Sequence, residues 1–152
     1  MKPTLLAVTV SLLFLSFTFS SCRKNLPENR IVGSWKLVDV ERKRLFNSET
    51  ITTGYESGTF TFFANGMASF TDAAGTLNGN WNMRKSRDGY YDGNGNWQTD
   101  ERTVFIINVQ DFPNNRVINL YFDRIDFRWS GDKLFAFIDG ASYRYRYDFR
   151  RQ

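Results

Sequence analysis

An all-β fold, one antiparallel up-and-down β-barrel of about eight to ten short strands, is predicted by three features of the chain. From Ile31 onward apolar and polar residues alternate with a period of two. No stretch beyond that point carries a helical period. Gly, Asn and Asp punctuate the alternating runs at regular intervals, as turns between strands require. Closure into a barrel is favoured over an open sheet because it removes the exposed edges that invite aggregation.

The runs can be taken in order. Phe60 and Phe62 share one face of TFTFF. In LNGNWNM the residues Leu77, Gly79, Trp81 and Met83 share a face, with three asparagines opposite. The run VFIINV is apolar on both sides: Phe105, Ile107 and Val109 on one, Val104 and Ile106 on the other. Leu134 to Ile138 is similar, so something must cover the outside of these two strands. IDFRW sets Ile125, Phe127 and Trp129 against Asp126 and Arg128. Near the end, Tyr143, Tyr145, Tyr147 and Phe149 alternate with Arg144, Arg146, Asp148 and Arg150. A slip of one residue would bury those arginines, so this register is strongly specified. Tight turns are expected at Ala64–Gly66, at Gly131 and at Gly140.

The first residues have a different character. Lys2 precedes an apolar stretch from Leu5 to Phe19, then Ser20, Ser21 and the only cysteine, Cys22. The apolar stretch falls short of the ~20 residues that a membrane span needs, and its order is that of an export signal. With Cys22 after the small pair, it resembles a bacterial lipoprotein signal. That resemblance implies cleavage before Cys22 and lipid attachment to it. The expected organisation is therefore a signal peptide over 1–21, a polar tether over 22–30 and one barrel domain over 31–152. An extended tether of that length reaches at most ~30 Å, which holds the domain close to a bilayer. The tether lacks the acidic cluster that would resemble the surface-export signal of some Bacteroidetes lipoproteins, and by that comparison the expected place is the outer membrane, facing the periplasm. A formal charge of +4 suits anionic headgroups without demanding a partner.

Much chemistry is excluded. The chain contains no histidine, which removes Ser-His and Cys-His nucleophilic sites and most zinc sites. Asp123 and Asp126 fall on opposite faces of one strand, so they make no acid–base pair. No glycine-rich loop precedes a helix, and no catalytic constellation is complete. The stretch DGYYDGNGNW, Asp88 to Trp97, imitates a calcium loop. Counting from Asp92, however, Trp97 and Thr103 stand where a calcium hand needs Gly and Glu. The stretch instead reads as a long, mobile connection carrying Tyr90, Tyr91 and Trp97. Arginine alternating with tyrosine near the end suggests stacking on nucleic acid, but alternation puts the two types on opposite faces. No enzyme, metal, cofactor or nucleic-acid partner is expected.

Gly33 to Trp35, GSW, resembles the G-x-W that opens the barrel of lipocalins and related calycins. The wider runs IVGSWKLVDVE, GTFTFFANG and GNWNM are similar to lipocalin-like domains of Bacteroidetes lipoproteins. The resemblance implies that Trp35 closes the barrel floor beneath an arginine, with Arg144 and Arg146 as the candidates. Two functions are compatible with this frame. One is a binder of a small apolar ligand, its wall formed by Phe60, Phe62, Trp81, Phe127, Trp129, Tyr145 and Tyr147. The other is a protein-interaction module with a filled core, used through its outer surface. Aromatics at 17% of the chain serve a hollow barrel and a filled one equally.

Overall fold

The computed structural model describes residues 27–152; the stretch expected to be a signal peptide, and Cys22, lie outside the described residues. Among the described residues a short helix, α1 (Pro27–Ile31), precedes ten strands. These are β1 (Gly33–Lys43), β2 (Ser48–Thr50), β3 (Thr59–Phe62), β4 (Met67–Asp72), β5 (Gly75–Tyr91), β6 (Trp97–Asp111), β7 (Arg116–Phe122), β8 (Arg124–Phe127), β9 (Lys133–Asp139) and β10 (Arg144–Arg151). They form one antiparallel sheet in the order β7-β6-β5-β4-β3-β1-β10-β9-β8, with β2 paired to the far half of β1. Neighbours in the meander follow in sequence except where β3 pairs with β1 past the short β2, and where β10 returns to pair with β1.

The terminal strands of this sheet, β7 and β8, do not pair with each other. They are successive pieces of one chain direction, separated by Asp123. Before the break the chain pairs with β6, Phe122 opposite Phe105; after it, Arg124 stands opposite Phe137 of β9. The Asp123 N–H donates to the Phe137 carbonyl at 2.8 Å, and its carboxylate accepts the Asp139 N–H at 2.9 Å. The ring is thus completed by a strand that changes partners, not by a hydrogen-bonded seam. The architecture is the all-β, up-and-down, barrel-like fold that the alternation predicts.

Alternation places the core as the pleat dictates. Burial follows every second residue in β3, β4, β7 and β10. In β1 the period breaks once: Trp35 and Leu37 are buried, then Val40, with the pairing to β10 shifting between Leu37 and Asp39. The extra residue of this bulge leaves Val38 exposed. The predicted turns form. Asn65 accepts the Met67 N–H, and Gly66 takes φ +82° in the β3–β4 hairpin. Gly131 takes φ +75° in the β8–β9 turn.

Three expectations need correction. Residues 27–30 are not free tether but helix, docked so that Ile31 is fully buried. Trp129 does not continue the inner face of β8. That strand ends at Phe127, where the Arg128 N–H donates to the Lys133 carbonyl and begins a turn, leaving Trp129 fully exposed. The stretch from Asp88 to Trp97 is not a long loop. Its residues complete a regular β5–β6 hairpin, paired as far as Tyr91 opposite Trp97. Asp92 makes the tight turn, its Oδ1 accepting the Asn94 and Asn96 N–H groups at 2.9 Å.

Gly79 marks a close approach of backbone inside this sheet. A Cβ there would lie 2.0 Å from the Asn108 carbonyl oxygen, an atom that cannot move without breaking the β5–β6 ladder. At Gly93 in the hairpin turn a Cβ would meet nothing within 4 Å. Urea unfolding should therefore show Gly79→Ala destabilised by about 2 kcal/mol or more, against a few tenths for Gly93→Ala. Equal midpoints would remove the close approach from the account.

Candidate functional site

Inside the barrel, five phenylalanines close a circuit of ring contacts. Phe60 stacks beside Phe62 at 6.3 Å, Phe62 meets Phe105 edge-on at 5.4 Å, and Phe105 stacks near Phe122 at 5.9 Å. Phe122 then meets Phe149 at 6.2 Å, and Phe149 returns to Phe60 at 5.9 Å. Phe62 belongs to β3 and Phe105 to β6, three strands along the sheet, so the circuit crosses the interior. All five side chains are essentially buried. Edge-to-face pairs at these separations add ~0.5–1.5 kcal/mol each beyond the area they bury. The interior is filled by rings.

The predicted wall residues divide accordingly. Phe60, Phe62, Trp81 and Tyr147 belong to this filled core, and burial pushes the Tyr147 phenol above its ordinary pKa. Phe127 and Tyr145 pack half-buried against it, while Trp129 lies outside. The outer apolar face of β9 is covered by arginines of its neighbouring strands. Arg124 lies over the Phe137 ring at 4.3 Å and Arg146 over Phe135 at 5.7 Å. Arg146 is held there by Asp148, at 2.7 and 3.1 Å, and by Glu41 at 3.3 Å.

One end of the barrel is shut by Trp35. Its indole N–H donates to the Ile31 carbonyl at 2.6 Å, and the guanidinium above its ring, at 4.5 Å, belongs to Arg151. Neither Arg144 nor Arg146 takes this place, because both point outward from β10. Arg151 shares the inward parity of Tyr147 and Phe149 and stands directly opposite Trp35 in the β1–β10 register. It donates to the Val32 carbonyl at 2.9 Å, the Gly131 carbonyl at 3.3 Å and the Arg30 carbonyl, tying α1 to the β8–β9 turn. Gly33 allows this: its φ is +129°, and a Cβ would lie 2.7 Å from Arg151 Nη1.

The opposite end is open. There a hollow of about 340 Å³ is lined by Thr53, Gly54, Tyr55, Phe70, Asp72, Leu77 and Asn115 to Ile118. Buried Phe70, Leu77 and Ile118 give it an apolar floor. Arg116, at the start of β7, reaches Asp72, at the end of β4, at 2.5 Å across two intervening strands. Its other terminal nitrogen, Nη1, is buried without a partner among the described residues. On the rim Glu56 accepts the Thr53 and Gly54 N–H groups at 2.8 Å and the Thr53 hydroxyl at 3.0 Å. Burial opposes ionisation of Glu56, but these bonds outweigh it and hold the carboxyl below its ordinary value.

Arg116 and Asp72 were missed because an ion pair between distant strands leaves no local pattern; Glu56 bonds locally, and the Thr53-x-x-Glu56 spacing was its signal. For Arg151 a signal existed in its parity with Phe149. Among the described residues no group of three or more Cys, Asp or Glu side chains is placed to hold a metal ion. Compared with protein-family models, curated proteins and solved structures, the chain matches none.

Two outcomes follow. Removing the cation over Trp35 together with its three carbonyl bonds should lower stability by about 2–3 kcal/mol in Arg151→Ala, whereas exposed Arg150→Ala should change it by less than about 0.5. Chemical unfolding followed by indole fluorescence measures both, and matching losses would contradict the floor. A depressed Glu56 pKa means the Thr53–Glu56 bonds contribute above the unfolded value and are lost as pH falls through the folded one. The Thr53 and Gly54 amide resonances should accordingly titrate together below the midpoint of free glutamate. A midpoint at the ordinary value would dismiss the bonded carboxylate.

Proposed function

We propose that this is a non-catalytic, lipid-anchored binding protein of the bacterial envelope. Cys22 would be its anchor in the outer membrane and the periplasm its compartment. Its frame is a lipocalin-like barrel, a reading supported by the Gly33, Trp35 and Arg151 arrangement at the closed end. Its ligand is small and amphipathic, an apolar body bearing a carboxylate or a similar anion. The ligand sits in the open mouth, not in the barrel's depth, because the phenylalanine circuit leaves no room there.

The observation that carries this reading is Arg116. A guanidinium with one nitrogen spent on Asp72 and the other buried and unpaired, above Phe70, Leu77 and Ile118, matches an anionic head over an apolar floor. The second reading, interaction through the outer surface, is favoured by the exposed Tyr90, Tyr91 and Trp97 of the β5–β6 hairpin.

Native mass spectrometry of the protein, incubated with an extract of its own envelope, tests the proposal. A retained adduct carrying a carboxylate is expected. Arg116→Gln should weaken it about tenfold or more, the equivalent of one charged hydrogen bond. A bare protein throughout, or an adduct indifferent to Arg116, would transfer the function to the outer surface.

A further inference from the structure

The β5–β6 hairpin continues well past the barrel. At the Trp35 end, β4 begins with Met67 opposite Asn80, yet β5 runs on to Tyr91. Arg84 to Tyr91 alone spans about 23 Å at the usual rise of a strand. This two-stranded arm is exposed over nearly its whole length. Opposite charges pair along the shaft: Lys85 and Arg87 share Glu101 at 3.5 and 3.3 Å, and Arg102 pairs with Asp88; with Arg84 and Asp100 the shaft keeps a net charge of +1. At the tip the Asp92 carboxylate is turned onto backbone N–H groups and the Gln98 amide. What the tip offers to the outside is aromatic. Tyr91 and Trp97 stand edge-to-face at 5.0 Å, Gly89 lies flat against the Trp97 ring, and Tyr90 is exposed on the other face of the ribbon.

The arm leaves the barrel at the end where the chain enters it. Gly33, which follows α1, pairs with Phe62; the β3–β4 turn leads on to Met67, and the arm extends beyond Met67's partner. Two turns at this same end also expose apolar side chains, Phe63 with Met67, and Trp129. Pro27 is five residues from Cys22, a separation the chain can span by at most about 18 Å.

We propose that the tip of the β5–β6 arm rests in the interfacial layer of a lipid bilayer, as a second attachment beside the N-terminal one. Tyrosine and tryptophan favour that layer because their rings are apolar while the hydroxyl and indole N–H find partners among headgroups and water. Ion pairing along the shaft leaves it only a small positive surplus, which suits anionic headgroups at the boundary. A single acyl-type anchor leaves a domain free to swivel, and an arm at the same end would fix its tilt. The open mouth then faces away from the membrane, toward the aqueous side. The inference rests in part on the lipid-anchor reading above. The exposed Leu45, Phe46 and Phe112 lie at the opposite end, around the mouth, and stay clear of the bilayer in this orientation.

The test uses the whole chain isolated from its membranes, with intact mass reporting whether Cys22 carries an acyl group. The protein is mixed with excess vesicles of phosphatidylethanolamine and phosphatidylglycerol whose acyl chains are brominated, and indole emission is recorded. Of the four tryptophans, Trp35 and Trp81 are buried in the barrel, so the difference between wild type and Trp97→Phe isolates the arm. Bromolipid should quench a component of wild-type emission that is absent in Trp97→Phe. Tyr90→Ser, outside the Tyr91–Trp97 pair, should cut that component at least twofold with the far-ultraviolet circular dichroism unchanged. Equal quenching in wild type and Trp97→Phe would overturn the proposal. So would a Trp97 emission that shifts to the blue with protein concentration and stays unquenched, which would show arms meeting on a second copy. An unmodified Cys22 would remove the anchor but not the arm: on the same vesicles, quenched Trp97 would still sustain the arm and unquenched Trp97 would overturn it.

Discussion

Everything in this barrel depends on how its interior is filled. Phe60, Phe62, Phe105, Phe122 and Phe149 come from four different strands and touch in a closed circuit, so each ring is a spacer between facing parts of the sheet. Burial of one such side chain stabilises the fold by ~1.5–3 kcal/mol, before any contribution from ring geometry. With no disulfide to help and no hydrogen-bonded seam between β7 and β8, this ring circuit holds the two ends of the sheet against each other. It also decides where function can be. On the proposed reading, a barrel packed with rings moves binding to its ends.

The two ends are built differently, and charge explains why. At the closed end Arg151 is fully used: a ring beneath it and three carbonyls around it. At the open end Arg116 is half used, with Asp72 on one side and nothing on the other among the described residues. A guanidinium whose donors are all taken is part of the scaffold. On the proposed reading, the buried donor of Arg116 that makes no hydrogen bond, beside an apolar floor, is what receives an anion. A buried donor without a hydrogen bond is not unique to Arg116, since Arg124 Nε on the outer face is another. Arg124 and Arg146 lie on Phe137 and Phe135 and shield the second apolar face of β9, so no partner protein is needed to cover that strand.

Strand faces were legible in the sequence because the pleat is strictly periodic. Phe60, Phe62, Trp81, Tyr147 and Phe149 point where alternation puts them. Legibility failed where the period changes. Trp129 continues the pattern of Ile125 and Phe127 on paper, but a turn intervenes and swings it out to solvent. The glycine-rich Asp88–Trp97 stretch has the composition of a loop, yet cross-strand pairing with the Trp97–Thr103 side holds it in a ribbon. Arg151 was within reach, since it keeps the parity of Phe149, but it stands one step past the last aromatic of that alternation. The mouth was not within reach at all. Asp72 and Arg116 meet only because β4 and β7 start and finish at one end of the barrel.

The central claim, a filled interior with binding confined to the mouth, can be tested by titrating the protein with decanoate while recording aromatic and methyl resonances. The account predicts that Tyr55, Phe70, Leu77 and Ile118 shift, while Phe62, Phe105 and Phe122 stay unmoved and their rings remain packed on one another. Shifts at Phe62, Phe105 and Phe122, with the ring-to-ring cross-peaks vanishing as decanoate binds, would mean that the rings part to admit a ligand, and would contradict it.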